Sequence, residues 1–184
     1  MNNIKVVLIG DTAVGKTSIA DRFVNNNFSE FNEPTIGAAF LSKTLENVKF
    51  EIWDTAGQER YRALAPMYYR GASAALIVFD ITQSDSFNNA AGWIKEIKER
   101  GKENCIIILV GNKCDLSNHQ IDYKYAKEYA DENGIFFIKA SAKDNINIDN
   151  IFQIIINNYD SSTDFPPRND VNLMYKKKVE RKCC

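Results

Sequence analysis

The chain predicts an α/β domain with a six-stranded, mostly parallel sheet, one antiparallel edge strand and helices on both faces. Three observations lead there. Short apolar runs suited to buried strands alternate with stretches of helical period. Two strand patterns separated only by Glu46-Asn47 are close enough to form a hairpin, which supplies the antiparallel edge. The first apolar run leads through a glycine-bearing turn directly into a helical pattern. At 184 residues the chain fits one domain, over 1–160, and a tail over 161–184.

The elements follow in order. Ile4 to Ile9 is apolar apart from Lys5, as a strand covered on both faces should be. A helix follows the turn, with Ile19, Ala20, Phe23 and Val24 on one face, and the polar run Asn25-Asn26-Asn27 should end it. An irregular segment containing Pro34 runs to Phe40. Strands are expected at 41–45 and 48–53, the second with Val48, Phe50 and Ile52 alternating against Lys49, Glu51 and Trp53. Further strands are expected at 74–79, 106–110 and 135–138, with helices at about 86–99 and 122–133 between them. A last helix carries Ile148, Ile151, Phe152 and Ile155 at helical spacing, with Asn147 as its N-cap.

The turn after the first strand reads Gly10-Asp11-Thr12-Ala13-Val14-Gly15-Lys16-Thr17, a G-x-x-x-x-G-K-[ST] pattern in its proper strand-to-helix setting. Asp11, Thr12, Ala13, Val14, Gly15, Lys16, Thr17 and Ser18 should wrap phosphates with inward-facing N–H groups at a helix N-terminus. Lys16 would reach the β- and γ-phosphates, and Thr17 would put its hydroxyl on Mg²⁺. This makes the expected architecture a P-loop NTPase fold.

Composition restricts the partners. A net charge of −1 creates no general field for nucleic acid, so no nucleic-acid partner is expected. The start of the chain carries no secretory pattern, and an intracellular protein is expected. Cys105, Cys114, Cys183 and Cys184 do not form a disulfide framework, and Cys105, Cys114 and His119 lack zinc-site spacing.

Ligands of such sheets sit beyond the carboxyl ends of the strands. There lie Asp54-Thr55-Ala56-Gly57-Gln58, Asn112-Lys113-Cys114-Asp115 and Ser141-Ala142-Lys143. Asp54 could hold Mg²⁺ through a water, Gly57 could present an N–H to the γ-phosphate, and Gln58 could orient an attacking water. Asp115 can accept from guanine N1–H and its 2-amino group, which adenine cannot supply. The Ser141 to Lys143 segment could offer an N–H to the guanine carbonyl. Each alone could be an ordinary turn; together they form a nucleotide site.

With these motifs, residues 4 to about 160 resemble a small GTPase of the Ras superfamily. The match is closest to Rab proteins, and Ile36-Gly37-Ala38-Ala39-Phe40, Phe50 to Asp54 and Ala65 to Gly71 resemble the early-endosomal subgroup. The resemblance implies GTP/GDP and Mg²⁺ as cofactors, with Thr17, Thr35 and Asp54 at the metal and Gln58, Lys16 and Thr35 in hydrolysis. It implies that Phe28 packs on the base, and that Phe40, Trp53 and Tyr68 form a triad met by effectors. It further implies a monomer with an exchange factor, an activating protein that supplies an arginine, a GDP dissociation inhibitor and a prenylation escort. A nucleotide kinase would share the P-loop but need an acceptor site and an arginine-bearing lid. A non-hydrolysing GTP-dependent scaffold would not need Gln58. The 41–49 hairpin is shorter than the subgroup's pattern, and Thr12 stands where relatives often carry serine or glycine.

The tail changes character. Ser161-Ser162, Pro166-Pro167 and few large apolar residues suit a linker. Lys176, Lys177, Lys178, Arg181 and Lys182 precede Cys183-Cys184, which resembles the Rab tail that takes two geranylgeranyl groups. Two lipids and a basic run would anchor the protein firmly to the cytoplasmic face of endosomal or other vesicle membranes, with cycling through cytosol.

Overall fold

The structure is a computed structural model, and it describes residues 2–159. The tail, with its basic run, Cys183 and Cys184, lies outside the described residues. Six strands form one sheet: β1 (Asn2–Ile9), β2 (Ala38–Leu45), β3 (Val48–Thr55), β4 (Ala74–Asp80), β5 (Ile106–Asn112) and β6 (Phe136–Lys139). Their order is β2-β3-β1-β4-β5-β6, parallel throughout except for the β2–β3 hairpin. The expected sheet is therefore present, antiparallel edge included. Its hairpin turns through Glu46 and Asn47 at φ 49° and 67°, the left-handed pair that matches strand twist in a two-residue loop.

Several strands outrun the periodicity. β3 continues through Asp54 and Thr55, and β5 through Asn112, so these polar residues are strand ends and not loop residues. All three are buried. A polar side chain at such a place breaks the apolar run that marks a strand, yet its backbone still pairs, Asp54 with Leu8 and Asn112 with Asp80.

Among the described residues five α-helices cover the sheet: α1 (Lys16–Asn25), α2 (Ala65–Tyr69), α3 (Ser84–Arg100), α4 (Tyr123–Glu132) and α5 (Ile148–Tyr159). A 3-10 turn over Glu59–Leu64 precedes α2, and neither piece was expected, because both are too short to show a period. Asn147 flanks α5 but does not cap it with its side chain: Nδ2 donates to Lys139 O and Oδ1 accepts from Asn150 Nδ2. Asn147 sits at φ 59°, outside the extended conformation of an N-cap.

The two faces bury separate cores. On one, Phe23 of α1 stacks on Phe152 of α5 at 3.4 Å between ring centroids, and Phe50 of β3 meets both edge-on. Removing one such ring costs roughly 3–5 kcal/mol, a large share of a domain's net stability. On the other face Phe79 of β4 is buried with Phe87, Trp93 and Ile94 of α3 and with Ala126 and Ala130 of α4. These cores fix β1 between β3 and β4, where the chain's path turns to opposite sides. A sheet opens a ligand crevice at that switch point, and the turn after β1 lies there.

Candidate functional site

The turn from Gly10 to Gly15 curls at the N-terminus of α1. Ala13 and Gly15 take φ 64° and 96°, the left-handed turns that point successive N–H groups to one side. Gly15 has a second constraint: a Cβ there would lie 2.2 Å from Asn112 Nδ2. Asn112 occupies that space to donate to Val14 O at 2.8 Å, and its Oδ1 accepts from Ala142 N at 3.3 Å. One strand-end amide thus joins the phosphate turn to the 141–143 loop.

Lys16 is buried and donates to the Gly10 and Asp11 carbonyls at 2.8 and 2.6 Å. Burial lowers its pKa to about 8, while Asp54 and Asp11 oppose the fall. An anionic phosphate would raise it again. Beneath it, Thr17 Oγ1 donates to Asp54 Oδ2 at 2.6 Å, Thr35 Oγ1 donates to the same oxygen at 3.3 Å, and the two hydroxyls are 3.0 Å apart. Burial pushes the Asp54 carboxyl above its usual range, against the pull of Thr17, Lys16 and Thr35. Asp54 Oδ1 is buried without a hydrogen-bond partner among the described residues. A carboxylate oxygen left so, beside two hydroxyls, is a hard-oxygen set of the kind that Mg²⁺ takes, and these residues fit that ion.

A cleft of about 410 Å³ opens above this cluster. Thr12, Ala13, Gly15, Lys16, Thr17 and Ser18 line one end, with Thr35, Gly57 and Gln58 beside them. Phe28, Asn112, Lys113, Asp115, Ala142 and Lys143 line the other. Four expected residues are not in its wall. Asp11 turns its carboxylate to Asn89 Nδ2 at 2.8 Å, and Val14 buries its side chain in the core, so only their backbones can face a phosphate. Asp54 lies below the cleft. Ser141 is wholly buried, and its Oγ donates to Asp115 Oδ1 at 2.6 Å and accepts from Asp144 N.

That arrangement refines the role of Asp115. One of its oxygens already accepts the Ser141 hydroxyl, which fixes the carboxylate plane, and each oxygen has a second lone pair for a base. Lys113 is held similarly by Asp80 Oδ2 at 2.6 Å. Burial would raise the Asp80 carboxyl, but Lys113 and the Thr82 hydrogen bonds outweigh it and hold the pKa below the usual value. Periodicity gave no sign of Ser141, Asp80 or Asn112 as supports, since each acts on a residue far along the chain.

Phe40, Trp53 and Tyr68 do come together, at 5.2 and 5.5 Å between neighbouring rings. Phe40 is 54% exposed, and Ile36 and Met67 stand out nearby in sequence at 79% and 70%. Apolar exposure on this scale suits a protein-binding face. Among the described residues no group of His, Cys, Asp and Glu could hold a metal by itself, so the Cys105, Cys114 and His119 trio is not assembled.

A phosphate-wrapping turn, a hard-oxygen cluster below it and a carboxylate at the far end define a P-loop domain built for a nucleotide. Comparison with known proteins specifies it. A family model described as Ras family matches residues 5–161. Ras-related protein Rab5A of Oryza sativa subsp. japonica is 53% identical over 160 residues, covering 84% of this chain and 79% of the relative. Ras-related protein RHN1 of Nicotiana plumbaginifolia is 54% identical over 155 residues, 82% and 78% of the two chains. Ras-related protein Rab-31 of Rattus norvegicus is 52% identical over 158 residues, 83% and 81%. The chain belongs to the Ras family and, within it, to the Rab small GTPases.

Gly57 generates the first prediction. A Cβ there would lie 2.4 Å from Asp11 C, Asp11 O and Thr12 N, all backbone atoms that cannot swing away. Gly57→Ala should leave GDP affinity within about threefold but lower GTP hydrolysis at least about tenfold, roughly 1.4 kcal/mol of barrier, since the segment after β3 can no longer close on the P-loop. Single-turnover hydrolysis and GDP titration measure the two; equal hydrolysis would refute the role of this contact.

Proposed function

We propose that the chain is a GTP-driven switch of vesicle transport that acts at endosomal membranes. As a Rab GTPase it binds guanine nucleotide, hydrolyses GTP and regulates vesicle trafficking through regulators and effectors. The observation that supports the switch most is the joint hold of Thr17 and Thr35 on Asp54. Through it, and through Asn32 Nδ2 donating to Ser18 Oγ at 3.3 Å, the segment 26–37 is attached to the phosphate end of the cleft. Loss of the γ-phosphate would weaken that attachment, so the segment's order can follow the nucleotide.

In this reading Thr17, Thr35 and, through a water, Asp54 would hold Mg²⁺, which would supply charge neutralisation on the phosphate oxygens. Lys16 and the P-loop N–H groups bind and orient the β- and γ-phosphates. Gln58, beside Thr35 and Gly57 in the cleft wall, orients the attacking water. Among the described residues that line this cleft none is arginine, which supports an activator that supplies one in trans, worth roughly 10³ to 10⁵ in rate. Retained Gln58 separates this reading from a scaffold without hydrolysis, and Asp115 with its Ser141 support separates it from a kinase.

The remaining partners are an exchange factor, effectors that meet Phe40, Trp53 and Tyr68, a GDP dissociation inhibitor and a prenylation escort. No helix among the described residues is long and apolar enough to cross a membrane. Membrane attachment in this proposal comes from two prenyl groups on Cys183 and Cys184 together with the basic run, in a tail over 161–184.

Two measurements test it. Asp115→Asn keeps the shape but turns an acceptor into a donor facing a donor on guanine, and xanthine carries a carbonyl where guanine carries its amino group. We expect a loss of about 2 to 5 kcal/mol in GTP affinity and a preference for XTP. Competition against a fluorescent nucleotide decides it, and an unchanged GTP preference would remove Asp115 from base reading. Replacing Cys183 and Cys184 by Ser should move the protein from membranes to cytosol with nucleotide binding intact; membrane retention in fractionation would refute the prenyl anchor.

A further inference from the structure

The loop that bears Ala142 and Lys143 is closed by a bridge between Ser141 and Ile146 and by Asp144 N donating to Ser141 Oγ, and Ala142 N donates to Asn112 Oδ1. The carbonyls of Ala142 and Lys143 need partners from elsewhere. Arg22, on α1, supplies them. Its Nε donates to Ala142 O at 2.8 Å and its Nη2 to Lys143 O at 2.9 Å. Its Nη1 donates to Asn26 O at 3.0 Å, at the left-handed residue where α1 ends. The guanidinium carbon lies 5.9 Å from the centre of the Phe28 ring, which lines the cleft.

Arg22 itself is not among the cleft residues. It nevertheless joins three parts that are: the helix rooted in the phosphate turn, the start of the 26–37 segment with Phe28, and the Ala142–Lys143 loop. The chemistry suits the task. A guanidinium presents a rigid fork of N–H donors, and two successive carbonyls 2.8 and 2.9 Å from adjacent nitrogens use that fork as lysine could not. Hydrogen bonds from a charged donor are also the stronger kind.

A second link closes the same mouth. Lys143 Nζ and Glu30 Oε1 are 2.8 Å apart, but their side chains are 52% and 61% exposed. An ion pair so exposed contributes little and is screened by salt. Arg22, half-buried with its donors on backbone, is the stronger constraint.

We propose that Arg22 is the positioning residue for recognition of the guanine C6 carbonyl. It holds the Ala142–Lys143 peptide so that the loop's N–H reaches that carbonyl, and it ties this loop to the wall formed by Phe28. The proposal rests on the guanine reading of the site. Without Arg22 the loop shifts, the carbonyl loses its donor, and the phosphate contacts stay as they were.

The test follows release of two ribose-labelled nucleotides from the full chain, each chased with excess unlabelled GDP. One is GDP; the other is 6-thioguanosine diphosphate, which keeps N1–H and the 2-amino group for Asp115 but replaces the C6 oxygen by sulfur, a much poorer hydrogen-bond acceptor. Wild type should release the second faster. Arg22→Met should release GDP about tenfold faster, the loss expected for one neutral hydrogen bond, while release of the 6-thio nucleotide changes less than about twofold. The ratio of the two rates should therefore collapse toward one. Arg22→Lys keeps charge and stem but not the fork, so it should collapse the ratio as well, and it carries the comparison should Arg22→Met fail to fold. Equal acceleration of both nucleotides would make Arg22 a general structural residue and overturn the proposal, as would no acceleration of either. Absence of any difference in wild type would instead withdraw the C6 reading itself, and the proposal with it.

Discussion

A single buried carboxylate carries the organisation of this molecule. Asp54 lies near the end of β3 in the interior, with one oxygen held by Thr17 and Thr35 and the other without a partner among the described residues. An isolated charge of that kind is expensive to bury and persists only where something compensates it. Part of the compensation is Lys16, whose own burial is tolerable because Asp54 and Asp11 are near. Thr17 fixes the start of α1, Thr35 fixes the 26–37 segment, and both do so through one oxygen. Any ligand that completes the coordination of Asp54 therefore acts at once on the P-loop and on the segment between α1 and β2.

The other end of the cleft is built on a different principle. There the supports are neutral or fully paired: Ser141 on Asp115, Asp80 on Lys113, Asn112 between Val14 O and Ala142 N. Each fixes a side chain or loop in one orientation, and none leaves an oxygen open. A rigid base end and an incompletely satisfied phosphate end divide the labour. The first holds identity; the second can change state.

Much of this was legible in the residues, and the reasons differ by element. The apolar runs of β1, β4 and β5 are covered on both faces, so their sequence has no choice but to be continuous, and the sheet could be inferred. The P-loop could be recognised because its function constrains consecutive residues. Strand ends were misjudged at Asp54, Thr55 and Asn112 because a functional polar residue mimics the end of an apolar run. The turn at Glu59–Leu64 and α2 were missed for their brevity. Arg22, Asn89 and the support that Ser141 gives Asp115 escaped notice for another reason: they act across 120, 78 and 26 residues of chain, and no local pattern encodes a partner that only the fold brings near.

The claim that Asp54 joins nucleotide, cation and switch segment can be tested most directly by the release of labelled GDP with Mg²⁺ in excess and after its chelation. If the account is right, chelation speeds release from wild type by orders of magnitude, and Asp54→Ala already releases at the chelated rate in saturating Mg²⁺. Release that is indifferent to Mg²⁺ in wild type, or an Asp54→Ala protein that responds to chelation as wild type does, would contradict it.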